Sequence, residues 1–491
     1  MPDQDEVIAF LAQGEDARAE THISIVFLHP GIAYKLKRAV RLPYLDYSTL
    51  ARRQAFCEAE LALNRRTAPA LYLGVRAITR AAAGGLEFDG PGAPVEYVVA
   101  MRRFAEADLL ESLAKAGRLT APLLRDLTDA IAAFHAAAEP ALRDGAALLR
   151  GVIAGNAERL AQCGFDPALV AAVNASCRAA LAAQAKLLTA RGAKIRRCHG
   201  DLHLGNIVLW QGRPLIFDCI EFSDDFACID PLYDLAFLLM DLLRRGEGGF
   251  AALVANRYLD RTAEAGGLAA LPLFIAVRAA IRAHVRAAQG KAGEGAGYLA
   301  LAVAALAPAT PRLLAIGGFS GAGKSTLAAA LAPELAPMPG ARVLRSDVLR
   351  KTLHGVTPET RLPESAYTRA MNAKVYARLY EEAEAALQAG ASVILDAAFL
   401  RGEERAAAEA LAARLGVAFH GVWLEAPDEV LAARLEARRG DASDAGVEVL
   451  RRQQALETGA ITWARLRAAP VEALRAAVLA QARIEPVSMK R

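Results

Sequence analysis

One short stretch constrains the fold of this chain more than any other. It follows the apolar residues 313–316, precedes the helical residues 326–332, and reads Gly318-Phe319-Ser320-Gly321-Ala322-Gly323-Lys324-Ser325. This is the pattern G-x-x-x-x-G-K-[ST], a glycine-rich loop between a strand and a helix whose backbone N–H groups surround phosphate oxygens. The lysine reaches the β- and γ-phosphates of a nucleotide, and the serine hydroxyl binds Mg²⁺. The sequence therefore predicts an ATP site formed by Gly318, Ser320, Gly321, Ala322, Gly323, Lys324, Ser325 and Thr326.

Around this loop the sequence alternates between strand-like and helical stretches. The apolar runs LLAIGG, ARVLRSD, SVILDAA and AFHGVWLEA are separated by helical text, which is typical of a parallel α/β sheet. In such a fold an acid at the end of a neighbouring strand holds the Mg²⁺ shell, and Asp396, which ends VILD, fits this position. Asp347 ends the preceding strand-like run, close to where an acceptor hydroxyl would meet the γ-phosphate. It is our candidate general base.

A helical stretch that ends at Gly440-Asp441 carries Arg434, Arg438 and Arg439. Mobile arginines at this point would neutralise charge in the transition state as part of a lid. A solvated helix face explains the same pattern equally well. We keep Arg434 and Arg438 as candidate nucleotide-binding residues and leave the alternative open.

The residues before this domain indicate a small β-rich lobe followed by a larger helical lobe. Two β-rich runs between residues 21 and 37 flank a His-Pro-Gly turn, which predicts a hairpin. Further predicted elements are a helix at 47–66, a strand at 97–101, helices within 109–191, strands at 206–210 and 214–217, and helices within 232–307. Prolines at both ends of residues 308–311 predict a linker. We therefore expect an α+β, kinase-like bilobal domain at 1–308 and an α/β P-loop domain with a parallel sheet at 309–491.

A second chemical constellation lies in the first of these domains. It begins at Cys198-His199-Gly200-Asp201, continues to Asn206 and, after a short strand, reaches Asp218. A carboxylate that accepts a hydroxyl proton, an Asn a turn later and a second carboxylate after the next strand can enclose one Mg²⁺-nucleotide. Protein kinases use H-R-D-x-x-x-x-N and then D-F-G for this purpose. We assign Asp201 as the catalytic base, and Asn206 and Asp218 as metal ligands.

Each polar neighbour of this constellation has more than one interpretation. His203 is a structural or phosphate-side partner, although it and His199 also fit a pair of hydrogen-bonded loop histidines. Glu221 either assists a second metal or orients the loop. Asp230 and Asp234 open a helix, where acids favour the helix dipole, and this structural interpretation is preferred.

A kinase-like lobe also needs a strand lysine for the α- and β-phosphates and a helix glutamate that holds it. Lys35, in IAYK on the second hairpin strand, is in the position of V-A-I-K, and Lys37 on the same strand face is the alternative. Glu60 or Glu58 in the next helix pairs with the lysine, and we favour Glu60. No G-x-G-x-x-G covers the phosphates, which argues against a protein kinase in the strict sense.

Both domains resemble known enzymes. The run CHGDLHLGN and the later aspartate resemble the aminoglycoside phosphotransferase, choline kinase and fructosamine kinase superfamily, which also lacks a strict glycine loop. The runs GGFSGAGKST, RSDVLRK and VILDAAF resemble small P-loop kinases of the gluconate kinase, polynucleotide 5′-kinase and zeta-toxin kind. Together with YKLKRAVRLPYLDYSTL and NRRTAPALYLGV, they resemble a bacterial family of bifunctional aminoglycoside phosphotransferase-like/P-loop ATP-binding proteins. This implies ATP-dependent phosphate transfer to small-molecule or nucleotide-sugar hydroxyl groups.

Composition argues against several other classes of protein. Among 491 residues, 58 Lys and Arg against 54 Asp and Glu give a formal charge of 58 − 54 = +4, without a basic block interleaved with aromatics. That balance argues against a nucleic-acid surface. The six cysteines form no C-x-x-C pair, and the N-terminal residues are acidic where a signal peptide would be basic. The longest uncharged stretch, residues 295–311, contains two prolines, so we expect a cytoplasmic protein without a membrane span.

The leading interpretation is an ATP- and Mg²⁺-dependent phosphotransferase with two nucleotide sites that acts on small hydroxylated molecules. One alternative is a nucleotide-binding regulatory or stress protein with an inactive kinase-like lobe, against which the intact Asp201, Asn206, Asp218 and Lys35 argue. Another is a polynucleotide or nucleotide-sugar kinase acting through the P-loop domain. Aminoglycoside resistance is the least favoured, because no acidic pocket for a polycationic drug is recognisable. The sequence identifies no oligomeric partner.

Overall fold

The computed structural model describes residues 4–42, 44–262, 264–437 and 442–484. The chain divides into two compact units, Met1–Leu148 with Leu188–Asp241, and Leu149–Leu187 with Leu242–Arg491. The predicted linker at residues 308–311 lies outside the helices and strands. The predicted boundary between residues 308 and 309 falls inside the second unit.

The first unit contains the β-rich lobe predicted from the sequence. Its strands are β1 (Ala17–Glu20), β2 (Ser24–His29), β3 (Ile32–Lys37), β4 (Arg41–Leu42), β5 (Leu45–Asp46), β6 (Tyr72–Arg80), β7 (Leu86–Phe88), β8 (Pro94–Arg102), β9 (Arg196–Arg197), β10 (Ile207–Trp210), β11 (Arg213–Ile216) and β12 (Cys228–Ile229). Six of them form an antiparallel sheet in the order β1-β2-β3-β8-β6-β7. The predicted hairpin is confirmed, since β2 pairs with β3 from Ser24 opposite Lys37 to His29 opposite Ile32.

Helices make up most of the remaining chain. They are α1 (Asp5–Leu11), α2 (Leu50–Asn64), α3 (Leu110–Lys115), α4 (Ala121–Ala137), α5 (Gly145–Ala161), α6 (Pro167–Ala190), α7 (Asp224–Ala227), α8 (Pro231–Arg244), α9 (Gly248–Arg261), α10 (Leu271–Ala288), α11 (Ala292–Ala305), α12 (Lys324–Leu331), α13 (Ser346–Leu353), α14 (Arg369–Gln388), α15 (Gly402–Leu415), α16 (Asp428–Ala437), α17 (Val447–Gln454) and α18 (Val471–Gln481). Threonine side chains cap α2, α4 and α14 by accepting a backbone N–H of the first turn. These caps fix where the three helices begin.

The second unit contains the predicted parallel sheet. Its strands are β13 (Arg312–Gly318), β14 (Arg342–Arg345), β15 (Val393–Asp396), β16 (Ala418–Glu425) and β17 (Ala464–Arg467), in the order β14-β15-β13-β16-β17. All the pairings are parallel. Because the carboxyl ends of parallel strands meet at one edge, the loop after β13, Asp396 and Arg345 lie at the same edge of the sheet.

Two helical stretches are long and apolar enough to cross a membrane by length and composition alone. They are Pro167–Lys194 and Ala265–Ala288, and 28% and 67% of their most apolar windows are buried in the fold. A core helix of a folded domain passes the same test, so this is weak evidence for a membrane span.

Within the second unit, α9 packs against β14, the edge strand of the parallel sheet. The Asn256 side chain accepts a hydrogen bond from the backbone N–H of Val343 at 2.7 Å and donates one to the carbonyl of Ala341 at 3.0 Å. Arg342, between these two residues, forms an ion pair with Asp260 of α9 at 2.6 Å. Asn256 therefore satisfies backbone groups that an edge strand leaves unpaired.

We predict that Asn256→Ala lowers the free energy of unfolding by about 1–3 kcal/mol, because partly buried backbone groups of Ala341 and Val343 lose their partner. The measurement is urea or thermal unfolding. The matched control is Asn372→Ala, also on a helix, whose side chain makes no hydrogen bond within the described residues. Equal destabilisation by the two substitutions would contradict this role of Asn256.

Candidate functional site

The loop that carries Asp201 in the first unit depends on a glycine that turns the chain before this residue. Gly200 has φ +87°, and a Cβ at this position would lie 2.8 Å from the carbonyl oxygen of Phe226. The next residue, Asp201, is held by Asn206, whose Nδ2 donates to both the backbone carbonyl and the Oδ2 of Asp201 at 2.9 Å. The amide oxygen of Asn206 is then the atom suited to a cation. The roles of Asp201 as base and Asn206 as metal ligand stay predictions.

The two histidines of this loop make local contacts. His199 donates from Nε2 to the carbonyl of Phe217 at 2.8 Å, and its Nδ1 accepts the backbone N–H of Asp201 at 3.2 Å. His203 accepts the N–H of Gly205 through Nδ1, and its Nε2 lies 3.4 Å from Asp201 Oδ2. These contacts are those of hydrogen-bonded loop histidines.

Asp234 has a larger part in this loop than the sequence indicated. It lies in the first turn of α8, yet its carboxylate accepts the backbone N–H groups of His199 and Gly200, each at 2.9 Å. Its Oδ2 also lies 3.1 Å from Nε2 of His135, and all of these groups are buried. Asp230 instead forms a two-bond ion pair with Arg191. An acid among the mostly apolar residues of PLYDLAFLLMDLL was the sequence signal that could have indicated this role of Asp234.

The strand lysine and the helix glutamate meet as predicted. Lys35 Nζ donates to Glu60 Oε1 at 2.9 Å and to Asp218 Oδ1 at 2.5 Å. Lys37, two residues along the same strand, donates to the other oxygen of Glu60 at 2.6 Å. Glu58 is exposed and accepts a hydrogen bond from Gln54. Both lysines therefore hold Glu60, and only Lys35 contacts the predicted metal ligand.

Lys37 and Tyr47 both contact Glu221, for which the sequence left two interpretations open. The ammonium group of Lys37 contacts Glu221 Oε1, which accepts the hydroxyl of Tyr47 at 2.5 Å as well. The side chains of Lys37 and Glu221 are 1% and 6% exposed. These contacts fit the interpretation in which Glu221 orients the loop, and its role stays a prediction.

Burial and charge act against each other at the centre of this network. Burial raises the pKa of Glu60, but the charges of Lys35 and Lys37 outweigh it and hold that pKa below its ordinary value.

Asp218 lies in the left-handed region with φ +64°, which is uncommon for a residue with a side chain. Its backbone N–H donates to the Tyr72 hydroxyl at 3.2 Å. Backbone strain of this kind clusters at functional sites.

The phosphate-binding loop of the second unit has the predicted form. It joins β13 to α12, and Gly321 has φ +86°, with a hypothetical Cβ only 2.7 Å from the carbonyl oxygen of Leu431. Lys324 Nζ donates to the carbonyls of Gly318 and Phe319, both at 2.9 Å. The backbone N–H of Ser320 donates to Gln453 on α17 at 2.9 Å. Glycine is required at 321 because a side chain would be strained and would clash.

The two predicted Mg²⁺ ligands of this unit contact the same cationic side chain. Arg345 Nε lies 3.2 Å from Asp396 Oδ2, and Arg345 Nη2 donates to the Ser325 hydroxyl oxygen at 3.1 Å. Two oxygen ligands grouped around one positive charge fit a hard cation such as Mg²⁺. Arg345 is a residue that the sequence interpretation missed.

The predicted position of the candidate base Asp347 is wrong, and one of the candidate lid arginines lies against the glycine loop. Asp347 does not end a strand, as the sequence suggested; β14 ends at Arg345, and Asp347 lies in the first turn of α13. Desolvation raises its pKa above the ordinary value, against the lowering effect of Arg345. Arg434 donates to the carbonyls of Gly321 and Ala322 at 3.3 and 3.4 Å. Arg438 and Arg439 lie outside the described residues.

Comparisons with known proteins match both parts of the chain. Residues 46–274 match the Phosphotransferase enzyme family, and residues 313–458 match an AAA domain. The chain is also 31% identical over 452 residues to the uncharacterized protein Rv2004c of Mycobacterium tuberculosis, with 88% of each chain covered. The chain therefore belongs to the same family as this relative, the bifunctional aminoglycoside phosphotransferase-like/P-loop ATP-binding proteins. In it, a kinase-like phosphotransferase domain is followed by a P-loop domain, and this pairing supports a phosphotransferase role.

Solved kinases resemble one domain each. A sugar kinase from Janibacter sp. HTCC2649 covers 37% of this chain and 99% of its own, with 23% identity and a TM-score of 0.29. A choline/ethanolamine kinase family protein from Mesorhizobium loti covers 62% and 98%, with 16% identity and a TM-score of 0.38.

We predict that Asp234→Asn loosens the loop that carries His199, Gly200 and Asp201. The amide nitrogen would face a backbone N–H that now donates to a carboxylate oxygen, a charge-assisted bond that contributes about 1.5–3 kcal/mol. Hydrogen exchange at His199 and Gly200 should become faster, whereas the exposed control Asp225→Asn should leave it unchanged. Unaltered exchange in Asp234→Asn would show that the loop does not depend on this carboxylate.

Proposed function

We propose that the protein is an ATP-dependent phosphotransferase with two nucleotide sites, one in a kinase-like domain at 1–308 and one in a P-loop domain at 309–491. Each site transfers the γ-phosphate to a hydroxyl group of a small molecule. The proposal is carried by one observation. The ammonium group of Lys35 donates hydrogen bonds to both Glu60 and Asp218, which are far from Lys35 in sequence. Grouping charges at a partly buried position is costly, and such arrangements are typical of functional sites.

In the kinase-like domain, the acceptor hydroxyl approaches Asp201, which takes its proton as the oxygen attacks the γ-phosphorus. The bond between the γ-phosphorus and the β,γ-bridging oxygen breaks, and ADP leaves with the electron pair of that bond. Asn206 holds the carboxylate of Asp201 in place. Lys35, oriented by Glu60, supplies positive charge to the α- and β-phosphates. Asn206 and Asp218 would hold Mg²⁺, which neutralises phosphate charge when bound.

In the P-loop domain, Asp347 takes the proton of the acceptor. Its raised pKa makes it a stronger base than an ordinary aspartate. Lys324 and the backbone of the glycine loop bind the phosphates, and Ser325 and Asp396 would hold Mg²⁺. Thr326 completes the loop, and Arg434 contributes to charge neutralisation, as does Arg438 in the prediction from the sequence.

The proposed acceptors are small hydroxylated molecules in the cytoplasm. The formal charge of +4 over 491 residues supports this class over a polynucleotide, whose phosphates demand a clustered basic surface. Both domains belong to classes that use ATP.

A test uses radiolabelled ATP, Mg²⁺ and a library of hydroxylated metabolites with Asp201→Asn, Asp347→Asn and the double variant. Each single variant should lose its own set of labelled products by about 10²-fold or more, because general base catalysis contributes about 10²–10⁴. The double variant should label nothing above background.

The control for folding is the exposed substitution Asp225→Asn, which should keep both product sets. If Asp201→Asn changes no product, the kinase-like domain is a regulatory nucleotide-binding lobe. If the double variant labels as the wild type does, neither aspartate is the base and the proposal fails.

A further inference from the structure

We propose that Arg345 is the resident cation of the metal site in the P-loop domain and that it excludes Mg²⁺ until the metal arrives with a nucleotide. The inference rests on the proposed function, since it concerns the same site. It assigns a positioning role to a residue that has no place in the glycine-loop pattern.

The geometry puts Arg345 between the two metal ligands. Its Cα pairs with that of Asp396 across the parallel strands β14 and β15. From this position the guanidinium reaches Asp396 Oδ2 at 3.2 Å through Nε and the Ser325 hydroxyl at 3.1 Å through Nη2. One side chain thus occupies oxygen atoms of both ligands.

The charge balance explains why a cation belongs there. The Asp396 side chain is only 4% exposed, and a buried carboxylate is costly unless a cation compensates it. Arginine keeps its charge at every pH relevant to a protein. A divalent ion that approached the same oxygens would meet this positive charge at close range and would be repelled.

A nucleotide changes that balance. The negative charges of its phosphates attract both the metal and the guanidinium, so Arg345 can leave the ligands without losing a partner. The side chain of Arg345 is 24% exposed, so the guanidinium can turn towards solvent. Binding of metal and of nucleotide is therefore coupled through Arg345.

Two neighbouring cationic side chains also donate hydrogen bonds to oxygen atoms of the protein. Lys324 donates to the carbonyls of Gly318 and Phe319, and Arg434 donates to those of Gly321 and Ala322. Three positive side chains around the loop thus contact the protein's own oxygen atoms. Arg345 differs in contacting the metal ligands themselves.

The test measures Mn²⁺ binding without nucleotide, by electron paramagnetic resonance, in the full chain. The Asp218→Asn substitution is included throughout so that the kinase-like domain contributes no metal site. We expect Arg345→Gln to bind Mn²⁺ at least about tenfold more tightly than the Arg345 parent, because one repelling unit charge is gone. Adding Asp396→Asn should abolish that gain.

Two controls separate charge from loss of structure. Arg345→Lys keeps the positive charge and should bind Mn²⁺ as weakly as the parent. Arg414→Gln removes one exposed positive charge elsewhere in the domain and should also leave Mn²⁺ binding unchanged. Equal Mn²⁺ affinity in Arg345→Gln and the parent would overturn the inference, as would equal gains in the Gln and Lys variants.

Failure of this inference is distinguishable from failure of the proposed function. If the parent binds Mn²⁺ with ATP but Arg345→Gln gains nothing without it, the nucleotide site stands and the role of Arg345 is wrong. If the parent binds no Mn²⁺ even with ATP, the P-loop site itself is wrong.

Discussion

Glu60 is a fully buried carboxylate, and the kinase-like site depends on the two lysines that keep it ionised. Lys35 and Lys37 each take one of its oxygens. In a simple buried ion pair, losing one partner costs about 3–5 kcal/mol because the remaining charge is uncompensated, and here the two lysines share that compensation. The same lysines contact Asp218 and Glu221 as well, so one carboxylate on α2 fixes both Lys35 and the loop that follows β11.

The second unit is organised by the edge of its parallel sheet. The loop after β13, Arg345 and Asp396 share that edge because parallel strands all end on the same side. The outer strand β14 carries Arg345, and the side chain of Asn256 on α9 satisfies the backbone of this strand. A helix matched by the phosphotransferase family model therefore supports a strand of the P-loop domain. This contact explains why the second unit includes α9, which precedes the predicted domain boundary between residues 308 and 309.

Local patterns in the sequence predicted much of the fold and the positions of many residues that the structure brings together in the two candidate sites. The hairpin, the alternating α/β pattern and the glycine loop depend on short spacings, which sequence records directly. Lys35 and Lys37 could not be distinguished, because residues two apart on a strand share a face and Glu60 accepts both. Asp234 was predicted only to favour the helix dipole, and Arg345 was missed, for another reason. Their partners are set by tertiary packing and strand register, which no local pattern encodes.

The central claim is that one chain holds two independent nucleotide sites, and stoichiometry tests it most directly. Calorimetric titration with a non-hydrolysable ATP analogue and Mg²⁺ should give two sites per chain in the wild type. It should give one site in Lys324→Ala and one in Lys35→Ala, each substitution sparing the other site. A single site in the wild type that disappears with Lys324→Ala would contradict the account, since the kinase-like domain would then bind no nucleotide.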